Sequence, residues 1–212
     1  NENSEVEYDV IHFKLTNRKI NATARKYRTI LIDPPWHYNQ KLGRGKKAGH
    51  TTRGGLPYPS MSVDEIAKLP ITDLADKDCM LFLWTTNAHI HDALHLIDQW
   101  KFTYKTMITW AKHHFGLGYW LRGQTEHLLL AIKGNPRSRM AGPHGATGKS
   151  WSTLVYAKRE EHSKKPEIFY TLIEDISEPP RLELFARNKR EGWDVWGNEV
   201  DSDIIINLED NK

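Results

Sequence analysis

A carboxylate, two prolines and a tryptophan follow directly on a run of strand-forming residues: Thr29-Ile30-Leu31-Ile32, then Asp33-Pro34-Pro35-Trp36. That set suits one chemical problem. The exocyclic amine of a nucleobase is a poor nucleophile because its lone pair is delocalised into the ring. The Asp33 carboxylate and the Pro34 carbonyl can accept its two N–H bonds, which draws the nitrogen toward tetrahedral geometry. Trp36 offers a flat face to a base, a contact worth about 1–3 kcal/mol in nucleic-acid complexes. The same residues also fit a plain loop whose Asp caps a turn and whose Trp packs in the core. Taken alone, the tetrapeptide does not separate these readings.

The element that must position Asp33 is the strand before it. Its apolar run is short and β-branched, as expected for a strand buried on both faces. Pro34 and Pro35 lack N–H groups and have fixed φ, so the strand stops there with a stiff end. Ligands of open α/β sheets bind outside the carboxyl ends of the strands. Further strands are expected at 79–84, 102–110, 126–133, 181–186 and 193–196, with a possible edge strand at 10–15. Ser62 and Glu65 form a capping box for a helix through Leu69, Asn87 is expected to cap a helix reaching Trp100, and Pro166 opens one running to about Ile176. Alternating strands and helices predict an α/β class with a largely parallel sheet.

Composition sets bounds. With 212 residues and 39% hydrophobic content, one domain with a sizeable core is expected. We expect an N-terminal extension over 1–27, the domain over 28–200 and an acidic tail over 201–212. A single cysteine, Cys79, excludes a disulfide framework and fits a reducing, cytoplasmic setting as an inert core thiol. No apolar run is long enough to span a bilayer, and no signal peptide is seen. A net charge of +3 permits a polyanionic partner without demanding one. Two glycine-rich loops concentrate positive charge. The first holds Arg44, Lys46, Lys47 and Arg53, and the second Arg137, Arg139 and Lys149. Both are candidates for phosphate contact.

Three other patterns are set aside. Gly148-Lys149-Ser150 imitates the end of a phosphate loop, but Pro143 stands where the motif needs glycine. His91-Asp92-Ala93-Leu94-His95 imitates a zinc-protease helix, yet both histidines project away from the apolar face and no third ligand is suggested by spacing. No G-x-G-x-x-G is present, so a dinucleotide site has no support, and no metal is expected.

Six blocks in one order carry a resemblance: Asp33-Pro34-Pro35-Trp36; Leu56-Pro57-Tyr58-Pro59-Ser60-Met61; Leu81-Phe82-Leu83-Trp84; Glu126-His127 leading to Lys133-Gly134-Asn135-Pro136; His162-Ser163-Lys164-Lys165-Pro166; and Leu182-Glu183-Leu184-Phe185-Ala186-Arg187 with Trp196-Gly197-Asn198-Glu199. Over roughly 28–200 the chain resembles the MT-A family (methyltransferase-A seventy type) of S-adenosylmethionine-dependent N6-adenine methyltransferases, in the flavour of its short bacterial and phage members. The resemblance implies a Rossmann-like fold whose catalytic motif precedes its cofactor motif. It carries over Asp33, Pro34, Pro35 and Trp36 as the catalytic site and Tyr58 as a gate to the target adenine. Asp33, Lys165, Glu183, Phe185, Arg187, Asn198 and Glu199 become the cofactor site, with Lys165 on the cofactor's carboxylate.

A lysine at a helix start is a good carboxylate site on physical grounds as well. Three departures stand out. Ala186 replaces a frequent glycine, the stretch 188–192 is short and basic, and Arg122 stands where some relatives have a smaller polar residue. The implied activity is methyl transfer to adenine N6 in nucleic acid, DNA ahead of RNA. RNA methylation or a non-catalytic nucleic-acid-binding subunit is the alternative. A homodimer or a heterodimer with a related subunit is compatible with the family, and no membrane partner is expected.

Overall fold

Seven strands form one sheet in the order β5-β3-β4-β2-β1-β6-β7. The computed structural model describes residues 25–37, 60–116, 118, 120–138, 150–159 and 164–206. In chain order these give β1 (Tyr27–Ile32), α1 (Val63–Ala67), α2 (Ile71–Leu74), β2 (Ala75–Thr85), a 3₁₀ turn (Asn87–His89), α3 (Ile90–Gln99), β3 (Thr103–Ala111), β4 (Thr125–Lys133), β5 (Leu154–Tyr156), α4 (Glu167–Ile176), β6 (Arg181–Leu184) and β7 (Trp193–Trp196). The possible edge strand at 10–15 lies outside the described residues. Among the described residues, no helix is long and apolar enough to cross a membrane.

The pairings β1–β2, β1–β6, β3–β5 and β6–β7 are parallel, while β4 runs antiparallel to both β2 and β3. The largely parallel sheet read from the sequence is therefore present, with one reversed strand. Period-two alternation divides the core into two layers. Ile30, Ile32, Leu81 and Leu83 join Ala93, Leu96 and Ile97 of α3 on one face. Leu31, Phe82 and Trp84 meet Phe169, Leu172 and Ile173 of α4 on the other. Cys79 is wholly buried, and burial pushes its thiol up to about 12, which suits an inert core residue.

From β1 the sheet extends on one side through β2, β4, β3 and β5, and the chain then crosses to lay β6 and β7 on β1's other side. The point where the order reverses, between β1 and β6, is where such sheets place ligands. Asp33 follows β1 there, beside the end of β6.

Local signals mostly behave as read. The Ser62–Glu65 capping box is present with both of its bonds. Asn87 departs from expectation: it opens the 3₁₀ turn, and no side-chain cap precedes α3. Its amide is drawn sideways to the sheet, with Oδ1 2.6 Å from His127 Nε2 and Nδ2 donating to Thr125 Oγ1. The tail boundary also moves. Ile206 is buried in the core and Asp203 N–H donates to the Val195 carbonyl, so 201–206 pack on the domain.

The turn after β6 depends on Gly197. A Cβ there would overlap the Ala186 backbone, whose N–H donates to the Trp196 carbonyl at 3.0 Å. Gly197→Ala should therefore lower the melting temperature by roughly 3–10 °C through overpacking. Thermal denaturation checks this; an unchanged midpoint would show that the two turns separate freely.

Candidate active site

Asp33 is held by a lysine from the far end of the chain. Lys165 Nζ lies 2.7 Å from Asp33 Oδ2 and 3.6 Å from Glu126 Oε2, and 5.1 Å from the centre of the Trp84 ring. Lys112, just beyond β3, pairs with Glu126 from the other side. The side chains of Lys165, Glu126 and Asp33 are 11%, 20% and 34% exposed, so most of this charge is withdrawn from bulk water. Burial alone would raise the Glu126 pKa, but Lys165 and Lys112 together take it below the ordinary range.

The geometry follows from strand ends. Asp33 leaves the carboxyl end of β1. Because β4 is reversed, its second residue, Glu126, lies at the same end, level with Trp110 of β3. Lys165 stands immediately before Pro166, the N-cap of α4.

The catalytic turn is fixed by the backbone. Trp36 N–H donates to the Pro34 carbonyl at 2.9 Å, and Met61 N–H to the Pro35 carbonyl at 2.8 Å. The Pro34 carbonyl keeps a second lone pair for an incoming N–H. His37 Nδ1 lies 2.8 Å from Ser60 Oγ, so the described residues on either side of the segment 38–59 meet beside this turn. Tyr58 lies within that segment, outside the described residues, as do Arg44, Lys46, Lys47 and Arg53.

The stacking role read for Trp36 needs correction. The indole is 5% exposed, its Nε1 donates to the Trp84 carbonyl at 3.1 Å, and His89 stacks on it at 5.0 Å. It anchors the turn to β2 from within the core, and that packing withholds its faces from a base.

The second half of the site surrounds β6. Glu183 is 8% exposed and accepts a hydrogen bond from the Tyr170 hydroxyl at 2.8 Å. Burial, aided by the nearby charge of Asp33, outweighs the opposing Tyr170 hydrogen bond and leaves its carboxyl pushed up to about 7. Phe185 adopts φ of 63°, a left-handed conformation unusual for a bulky residue and common at working sites. It packs edge-on against Trp196 at 5.3 Å. Ala186 is not the left-handed residue, so its replacement of glycine is accommodated. Arg187 pairs with Glu199 at 3.6 Å, and Asn198 is exposed beside them.

Among the sequence-predicted residues, the fold thus brings together Asp33, Lys165 and Glu183, with Phe185, Arg187, Asn198 and Glu199 at the adjoining strand ends. Arg137 does not join them. Because β4 is reversed, the chain beyond Lys133 emerges at the sheet's opposite end, where Arg137 lines a cavity of about 450 Å³ with Arg28, Asp78 and Glu178. Arg139 and Lys149 lie outside the described residues. Sequence reading did not assign Glu126, Lys112 or Tyr170 to the site. Glu126 stood inside a quoted motif, which was the available signal; Lys112 and Tyr170 had none. His91 and His95 are exposed on α3, as expected for a solvated face.

A charged cluster at a strand-order reversal defines the class: a Rossmann-like α/β enzyme. The MT-A70 family model matches residues 27–199. The chain is 32% identical over 197 residues to the Type II methyltransferase M.MunI of Mycoplasma sp, covering 85% of this chain and 81% of that protein. It is 28% identical over 208 residues to the N(6)-adenosine-methyltransferase MT-A70-like of Arabidopsis thaliana, covering 89% of this chain and 27% of that one. To the N(6)-adenosine-methyltransferase catalytic subunit METTL3 of Homo sapiens it is 28% identical over 187 residues, 83% of this chain and 28% of that one. The chain therefore spans most of the Mycoplasma relative and a minor part of the two eukaryotic ones. It belongs to the MT-A70 family of methyltransferases.

The elevated Glu183 carboxyl has a thermodynamic consequence. A folded pKa of about 7 against an ordinary 4.5 means that the folded state binds this proton more tightly. Glu183 then draws stability down as pH rises from the lower value through the higher one. Glu183→Gln should be more stable than wild type at about pH 8, by up to ~2–3 kcal/mol, and nearly equal to it at about pH 4. Calorimetry of the ligand-free protein at both values tests this; a constant difference would show that Glu183 does not titrate in this window.

Proposed function

We propose that this protein transfers a methyl group from S-adenosylmethionine to N6 of adenine in nucleic acid. The carrying observation is the Asp33 carboxylate at the end of the central strand, with Oδ2 held by Lys165. DNA is favoured over RNA because the relative matched over most of its own length is the Type II methyltransferase, not an adenosine methyltransferase. The buried lone cysteine fits a reducing cytoplasm. A non-catalytic subunit is the weaker reading, since Asp33, Lys165 and Glu183 are all in place.

The donor set suits this cofactor. Asp33 and Glu126 are balanced by Lys112 and Lys165, and a sulfonium with an ammonium group bound beside the buried Glu183 would favour the ionised form of its carboxyl. Lys165, Glu183, Phe185, Arg187, Asn198 and Glu199 are the residues that would hold it. S-adenosylmethionine supplies an electrophilic methyl group when bound, so the protein's task is alignment and electrostatics. Lys165 fixes the plane of the Asp33 carboxylate and leaves Oδ1 for one N6 hydrogen. The second lone pair of the Pro34 carbonyl takes the other. An adenine in a duplex must leave its stack to reach them.

Lys165→Ala should weaken S-adenosylmethionine binding by roughly 1.5–3 kcal/mol through loss of a charge-assisted bond. Unchanged affinity by calorimetry in a folded variant would remove Lys165 from the cofactor site.

Asp33 carries the reading. Asp33→Asn keeps a carbonyl acceptor at nearly the same place, whereas Asp33→Ala removes it. With cofactor saturating, single-turnover rates on an adenine-containing oligonucleotide should be abolished in the Ala variant and intermediate in the Asn variant. An Asn variant as inactive as Ala would make negative charge or proton acceptance the function of Asp33. Near wild-type rates in the Ala variant would place the active site elsewhere.

A further inference from the structure

The hairpin joining β3 to β4 is rooted in the active site and ends in exposed aromatic surface. Its feet are Lys112 and Glu126, the pair that continues the Asp33–Lys165 contact. Hydrogen bonds extend it past the end of the sheet. Lys112 N–H donates to the Gln124 carbonyl at 2.9 Å and Gln124 Nε2 to the Lys112 carbonyl at 2.8 Å. Farther out, Gly116 N–H donates to the Gly123 carbonyl at 2.6 Å and Arg122 Nε to the Gly116 carbonyl at 2.8 Å. A Cβ at Gly118 would overlap the Leu121 carbonyl, so the turn closes only around glycine.

This loop presents Trp120. Its backbone is left-handed, with φ of 62°, and the residue is 104% exposed; Leu121 and Phe115 are 82% and 64% exposed. A tryptophan so presented buries nothing of its large apolar surface, so folding of the chain alone does not explain it. The stretch 112–124 has no Asp or Glu but holds Lys112, His113, His114 and Arg122. Exposed aromatic surface beside the Arg122 guanidinium, in a stretch without a carboxylate, matches a polyanion that offers π-faces.

We propose that Trp120 stacks on the nucleic-acid base adjoining the target adenine, at the place in the stack that the adenine leaves on its way to Asp33. The proposal rests on the nucleic-acid reading above. Extruding a base costs stacking energy, and an inserted apolar side chain can offset part of that loss. A second protein is the competing occupant, but the cations and the roots of the loop in the active site favour the substrate strand.

The test compares wild type, Trp120→Ala and Trp120→Phe, each as the full chain. The probe is a short oligonucleotide with a fluorescent adenine analogue beside an adenine, as single strand and as duplex. The Ala variant should bind it roughly ten-fold or more weakly and lose the change in analogue fluorescence, while Phe retains much of both. Melting temperature and S-adenosylmethionine affinity should be unchanged in both variants. Equal oligonucleotide affinity and fluorescence in the Ala variant would overturn the proposal. So would sedimentation showing that Ala dissociates a wild-type dimer while each protomer binds the oligonucleotide as before. Methyl transfer by wild type is measured alongside: its absence counts against the enzymatic reading, whereas Trp120 is decided by binding alone.

Discussion

One ammonium group, Lys165 Nζ, stands between two carboxylates that would otherwise face each other with little water between them. Asp33 and Glu126 come from different strands, and each is brought to the same end of the sheet by backbone direction rather than by its own preference. Removing one partner of a buried pair typically costs about 3–5 kcal/mol, because the remaining charge is left uncompensated. Asp33 is a third exposed, which places its share toward or below the lower figure. Lys112 takes the outer side of Glu126, so the cluster is a chain of alternating sign in which Lys165 engages Oδ2 of Asp33.

The reversed strand β4 is what makes this chain of charges possible. In an all-parallel sheet, the residue that opens a strand lies at the end away from the active site. Glu126 is the second residue of β4 yet lies at the Asp33 end of the sheet because β4 runs against β2 and β3. The same reversal makes the β3–β4 hairpin, which carries Trp120, leave the sheet at the Asp33 end. It also carries Arg137 to the far end, more than four strand residues away by register, or roughly 13 Å or more. One choice of strand direction thus decides three placements.

Much of the fold was legible because its signals are local. The apolar run before Asp33, the Ser62–Glu65 capping box and Pro166 each constrain their own neighbours, and each is found where read. The misreadings all involve side chains whose partners are distant in sequence. Asn87 looked like a helix cap because caps are asparagines, but His127 and Thr125 offered its amide a better set of bonds. Trp36 looked like a stacking platform, but the Trp84 carbonyl and His89 took its ring. Lys112 and Tyr170 carried no motif, and their roles exist only after the strands pair. The three-residue β5 alternates exposed, buried and exposed, too short for a pattern to declare it.

The two halves of the site are supported by separate networks that meet at α4. The acceptor half is held through Lys112, Glu126 and Lys165, just ahead of that helix. The cofactor half is held from its first turns. Arg190 donates to both carboxylate oxygens of Glu167 and lies 3.8 Å from the centre of the Tyr170 ring, while the Tyr170 hydroxyl bonds Glu183. Arg190 belongs to the basic stretch 188–192, so the support of Glu183 uses a guanidinium stacked on a phenol. Tyr170 is carried by α4 and Lys165 stands one residue before its N-cap Pro166, so the seating of α4 bears on the partners of both Asp33 and Glu183. That seating is fixed through Phe169, Leu172 and Ile173 against the sheet.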